Sequence, residues 1–262
     1  MKVIAFANQK GGVGKTTTAI NIGASLAAIK RRVLLIDLDP QGNAGTGLGF
    51  VRNQHAQSVH GVIMGTSAAQ DNILATNVVG MHIMPSSPAL SGAEVELLDM
   101  ENREYRLRDA LAPVMDHYDY ILIDCPPAMG FLTLNALTVA TDVIVPLQCE
   151  FYALEGLQHL MGNVSEIQKK WNPSLNLMGV LLTMYDKRNN LSKAVEDDVR
   201  AAFGDRVFKT VVPRNVRISE APSHGKPALF YDMTSPGAQA YLRVATEIVD
   251  ASGDAEALGI RH

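Results

Sequence analysis

Two cysteines in 262 residues, Cys125 and Cys149, are too few and too isolated for a disulfide framework, and they suit a reducing interior. One tryptophan, Trp171, and 6% aromatic residues leave no stacking platform for single-stranded nucleic acid. No run approaches the roughly 18–20 apolar residues of a membrane span. The net charge of -4 excludes a globally basic nucleic-acid binder and leaves room only for a local patch. Seven histidines show no metal-ligand spacing, and eleven methionines are scattered as gap-fillers would be. No repeat, low-complexity block or linker interrupts the chain. The first apolar strand begins at once, so neither a leader nor a preceding DNA-reading domain is expected. What is present is 47% hydrophobic residues, enough for one large core, expected as a single domain over 1–250 with a polar, frayed tail at 251–262.

Apolar strand-like runs alternate with longer helical patterns, which predicts an α/β fold: a doubly wound, mostly parallel sheet with helices on both faces. Strands are expected over 3–7, 32–39, 81–84, 120–124, 143–147, 177–184 and 207–212. Helices are expected over 17–29, 154–170, 191–203 and 237–249. Residues 53–80 read as a weakly patterned surface connection with short helices. Ser91 and Glu94 have capping-box spacing ahead of one or two amphipathic helices over 95–115.

The first strand runs into a glycine-rich loop, K-G-G-V-G-K-T-T over 10–17, and then a helix. Strand, glycine loop and helix together form the context of a phosphate-binding loop. Gly11, Gly12 and Gly14 let successive N–H groups turn inward around an anion, with Val13, Thr17 and the helix N-terminus completing the cradle. Lys15 then reaches the outer phosphates and the Thr16 hydroxyl takes a place on Mg²⁺. The plain form of this motif has glycine where Gln9 stands, and an extra lysine, Lys10, lies five residues before Lys15. Its own loop already has a cation, so Lys10 is a residue in search of a role.

Ligands of open parallel sheets sit beyond the strand carboxyl ends, where Asp37, Asp39 and Asp124 are expected. Asp124 ends an apolar run as a Walker B acid does and is a candidate for the Mg²⁺ shell, with Asp37 supporting the metal's water. Asp39 is the candidate for orienting the attacking water. Phosphoryl transfer to water needs positioning and charge neutralisation rather than covalent chemistry, so Lys10, Lys15 and Asp39 form the expected catalytic set.

The loop K-G-G-V-G-K-T-T resembles the deviant Walker A box of the ParA/MinD superfamily. D-L-D-P-Q-G-N at 37–43, D-C-P-P at 124–127, V-P-L-Q-C-E-F-Y-A-L-E-G at 145–156 and V-P-R-N-V-R-I-S-E-A-P-S-H-G-K-P at 212–227 are similar to chromosomal ParA/Soj partition ATPases. The resemblance spans residues 2 to about 250. It implies an ATP-dependent sandwich homodimer in which Lys10 crosses to the partner's nucleotide. It also implies ATP/ADP and Mg²⁺ as ligands, non-specific binding of double-stranded DNA by the dimer, and stimulation of a slow ATPase by a ParB-type centromere-binding protein. Pro213 and Asn215 are carried over as base contacts, and Arg188 and Arg217 as DNA contacts.

Composition supports such a surface. Between Asp186 and Phe230 nine Lys/Arg face six Asp/Glu, a local excess in an acidic chain, and Lys187, Lys193 and Arg214 would widen the patch. A cytoplasmic, nucleoid-associated protein is expected. The alternatives are a MinD-like membrane-associated regulator, a plasmid partition ATPase and a metal-cluster relative. The acidic tail at 251–262 lacks the bulky apolar residues of a membrane-binding helix, so no stable membrane association is expected. The cysteines are expected to be small buried core residues rather than cluster ligands.

Overall fold

The computed structural model describes residues 1–51 and 56–251. Seven strands form one sheet: β1 (Lys2–Phe6), β2 (Val33–Asp37), β3 (Leu74–Ala75), β4 (Met81–Met84), β5 (Tyr120–Asp124), β6 (Asp142–Gln148) and β7 (Asn176–Thr183). Their spatial order is β3-β4-β2-β5-β1-β6-β7, and every pairing is parallel except β3 with β4. Successive side chains of a strand point to opposite faces. Val3 and Ala5, Leu34 and Ile36, and Ile121 and Ile123 therefore enter one core, while Ile4 and Phe6, Val33 and Leu35, and Tyr120 and Leu122 enter the other. Strands apolar at every position are what a sheet covered on both faces requires, and the expected doubly wound fold is observed.

The chain winds outward from β1 in one direction through β2 and β4, then returns through β5 and continues through β6 and β7. The reversal beside β1 opens a crevice at the carboxyl ends of β1, β2 and β5, the place where such sheets take ligands. The helices Lys15–Ala28 and Pro236–Ala251 pack on one face, joined by the Thr18 and Tyr241 hydroxyls at 3.2 Å.

Three expectations are corrected. Residues 207–212 form no strand, because the Lys209 and Thr210 N–H groups donate instead to the Glu247 carboxylate at 2.8 and 2.9 Å; only isolated bridges, Val180 with Val207 and Tyr185 with Pro213, remain. The 53–80 connection is not merely surface: Val59, Val62 and Ile63 of the helix Val59–Met64 are buried, and β3 adds an antiparallel edge. Glu94 does not close a capping box on its own helix. Its carboxylate accepts the Phe131 and Leu132 N–H groups at 2.7 and 3.2 Å, capping the helix Phe131–Val139, which has no counterpart among the expected elements. Of the one or two helices expected over 95–115, one α-helix, Arg106–Leu111, lies wholly within the span, so this expectation is met at its lower count.

Candidate functional site: a phosphate loop over two buried carboxylates

The loop after β1 is held open by local bonds. Asn8, buried, donates its side-chain N–H to Pro146 O at 2.8 Å and accepts the Lys10 N–H at 3.0 Å. Thr183 at the end of β7 donates its hydroxyl to Val13 O at 2.8 Å. These anchors on β6 and β7 were not singled out from the sequence, because nothing local marks a contact across more than a hundred residues. Gly12 and Gly14 have φ of 77° and 87°, a conformation that side-chain-bearing residues rarely adopt. A Cβ on Gly11 or Gly12 would meet nothing within 4 Å, so the outer side of the loop is open.

The helix Lys15–Ala28 begins here with no side-chain cap and no acid in its first turn. Its leading N–H groups and the positive end of its dipole are left for an anion. Lys15 is only 7% exposed, its ammonium donating to Lys10 O at 3.3 Å. Burial lowers its pKa, while Asp124, Cys125 and Asp39 oppose the shift. Thr16 is half-buried beside it.

Asp37 and Asp124 end neighbouring strands in direct register, and both are fully buried. Asp37 is fully committed locally: one oxygen accepts the Ala44 and Gly45 N–H groups at 3.0 and 3.1 Å, the other the Asp39 N–H at 3.2 Å. Burial still raises its pKa to about 7. In this structure Asp37 braces the 39–45 segment from its place beside Asp124. Asp124 is the opposite case, since neither carboxylate oxygen has a hydrogen-bond partner. Burial and the neighbouring Asp37 hold it well above the usual carboxylate range, while the Thr16 hydroxyl and Lys15 ammonium pull it back. An orphaned, buried carboxylate beside a hydroxyl fits a hard cation whose remaining ligands are water and phosphate oxygens. No cluster of three or more His, Cys, Asp or Glu that could hold a metal occurs among the described residues. Asp39 is half-buried at the crevice mouth and accepts the Gln41 N–H at 2.9 Å.

Beside the loop lies a cavity of about 260 Å³ lined in part by Gly14, Thr17, Met184, Pro213, Asn215 and Tyr241. The structure thus brings Pro213 and Asn215 next to Thr17 and the loop. Asn215 also caps the helix Val216–Glu220 by accepting the Arg217 N–H at 3.0 Å.

Lys187, Arg188, Lys193, Arg214 and Arg217 are all exposed. The Arg214 N–H donates to Tyr185 O at 3.0 Å, which sets the 213–217 segment against the 185–189 turn. Arg188 is 91% exposed and pairs with Asp186 at 3.3 Å; Arg217 pairs with Glu220 at 2.9 Å and Asp232 at 3.3 Å. Both cysteines are free and buried, with burial raising the Cys125 thiol and pushing Cys149 up to about 12, so they behave as core residues. No described helix is long and apolar enough to cross a membrane.

The sheet, the glycine loop on its switch-point crevice and the buried strand-end acid define a P-loop nucleotide-binding protein. A family model described as an AAA domain matches residues 1–177. The chain is 53% identical to the chromosome partitioning protein ParA of Caulobacter vibrioides, covering 98% of this chain and 97% of that one. It is 52% identical to the sporulation initiation inhibitor protein Soj of Bacillus subtilis, covering 94% and 98%. Among solved structures it is similar to a Mycobacterium smegmatis protein named cobyrinic acid a,c-diamide synthase, determined with ADP and magnesium, at 41% identity, a TM-score of 0.83, and 94% and 93% coverage. The chain belongs to the ParA/Soj family of chromosome-partitioning ATPases.

Proposed function

We propose that this ATPase is a nucleotide-driven switch for DNA partition, working through residues 1–250 as one unit. The observation that carries the reading is the orphaned Asp124 carboxylate beside Thr16 and Lys15, beneath an uncapped helix N-terminus. Lys15 and the loop amides of Gly11 to Thr17 bind the ATP phosphates, and Pro213 and Asn215 contact the base in the adjoining cavity. Asp124 and Thr16 hold Mg²⁺, which neutralises phosphate charge when bound, and Asp37 supports the metal's water shell. Asp39, on a turn braced by Asp37, orients the attacking water. Lys10 crosses to the nucleotide of a second copy, so ATP favours a sandwich dimer.

The dimer doubles the basic surface of Arg188, Arg217, Lys187, Lys193 and Arg214, which binds double-stranded DNA through phosphates without reading bases. Hydrolysis, stimulated by a ParB-type partner, releases it, and the ATP form is nucleoid-associated. The membrane-associated alternative depended on the tail; residues 252–262 lie outside the described residues.

The test is binding to a non-specific duplex with ATP, ADP or no nucleotide at two salt concentrations. Salt-sensitive binding with ATP alone, prolonged in Asp39→Ala, is the expected result. Equal binding in all nucleotide states, or none in any, would overturn the DNA switch.

A further inference from the structure

Lys10 is fixed at its backbone and free only at its side chain. Its N–H donates to Asn8, and its carbonyl accepts the Lys15 ammonium. In this structure the Lys10 ammonium forms an ion pair with Glu150 of the same chain. Glu150 sits in the turn after β6, where its N–H donates to Gln148 O at 2.9 Å. The next two residues put aromatic rings into solvent: Phe151 is 75% and Tyr152 67% exposed, edge to face with centroids 5.0 Å apart. Two large exposed aromatics beside a loop whose outer side is open mark a contact surface rather than a solvated rim.

We propose that Glu150 is a latch: it holds Lys10 within the lone protomer, and the pair must break before Lys10 reaches a second copy, with Phe151 and Tyr152 covered at the seam. The inference rests on the reading that Lys10 crosses between protomers, and adds a positioning residue to it. The latch is weak by construction. Both partners are partly exposed, the Lys10 side chain 53% and Glu150 31%, so water and salt screen the pair. Such pairs shift an equilibrium by up to about fivefold. Each dimer frees two lysines, so the effect on the dimer dissociation constant reaches up to about 25-fold. A nucleotide phosphate carries more charge than a carboxylate and displaces it; without that competitor Lys10 stays home.

The test is dimerisation of the full chain with a non-hydrolysable ATP analogue, followed by sedimentation, for wild type, Glu150→Gln, Lys10→Ala and the double variant. Glu150→Gln, isosteric and on the surface, is expected to dimerise at a several-fold to about 25-fold lower protein concentration. The advantage should shrink as salt rises, and the double variant should gain nothing over Lys10→Ala. An unchanged or higher midpoint for Glu150→Gln, with wild type dimerising, overturns the latch. So does a gain that persists without Lys10. Failure of wild type to dimerise with the analogue instead overturns the underlying dimer reading. Phe151→Ser should weaken dimerisation in both the wild-type and Glu150→Gln backgrounds; no change would remove the seam.

Discussion

The two working ends of the molecule treat charge in opposite ways. At the phosphate loop the ionisable groups are buried and few: Lys15, Asp37 and Asp124 are almost entirely enclosed, and Asp124 has only the Thr16 hydroxyl and the Lys15 ammonium to favour its charged form. On the 186–226 surface the basic groups are exposed, and two of them already have acids, Arg188 with Asp186 and Arg217 with Glu220 and Asp232. A buried carboxylate is costly to ionise without a cation, which creates a strong preference for one kind of ligand. An exposed pair is worth little, so under the proposed DNA switch a polyanion replaces the acids with small loss and no selectivity for sequence. The first arrangement suits a nucleotide and its cation, and the second suits the reversible grip that the proposed DNA switch requires.

The strongest way to break this contrast is at the buried end. Lys15→Ala removes the only cation enclosed with the strand-end acids, and ATP turnover should fall by about 10²–10³-fold, measured by phosphate release. A loss of under about tenfold would mean that the phosphates are held elsewhere. Next comes Asp39→Ala, at the half-buried mouth of the crevice. Hydrolysis should drop by about 10²-fold while equilibrium ATP binding is kept, because the residue acts on water rather than on phosphate. Loss of binding in parallel with rate would place Asp39 in the cradle instead.

On the exposed side, Arg188→Ala and Arg217→Ala should leave ATP binding intact. Each should lower the slope of log DNA affinity against log salt by about one unit per copy. An unchanged slope would show that the existing acid pairs persist on DNA. The smallest effect belongs to neither end. Glu94→Ala strips the cap from the helix Phe131–Val139 and should cost about 1 kcal/mol in a denaturant titration, with DNA affinity and ATP turnover unmoved. A change in either activity would mean that the two ends communicate through this helix.

The comparison between two helix starts shows where sequence reading succeeds and fails. The start at Lys15 is legible because glycines, lysine and threonine lie together in eleven residues after an apolar strand. The start at Phe131 is invisible, because its cap is Glu94, thirty-seven residues earlier. Read locally, Glu94 belongs to a capping box, and the local pattern misleads. Residues 207–212 fail similarly: their β-branched run suits a strand, and Phe208 and Val212 still donate to β7, but Glu247 of the last helix takes the Lys209 and Thr210 donors between them. Asp37 and Asp124 have the same sequence signature, an acid closing an apolar strand. The amides of the 39–45 turn satisfy the first and leave the second bare, a distinction set by how the chain folds back after β2.

By itself the sequence determined six of the seven strands, their burial on both faces and the phosphate loop. Those properties depend on residue periodicity and on the φ that only glycine tolerates readily, which are local. Only the tertiary structure decided which acid stays unpaired, that Asn8 and Thr183 brace the loop, that Pro213 and Asn215 line the cavity beside it, and that Lys10 rests on Glu150. Hydrogen bonds and ion pairs act over about 3–4 Å in space, and the chain brings those partners together from as far as 170 residues apart.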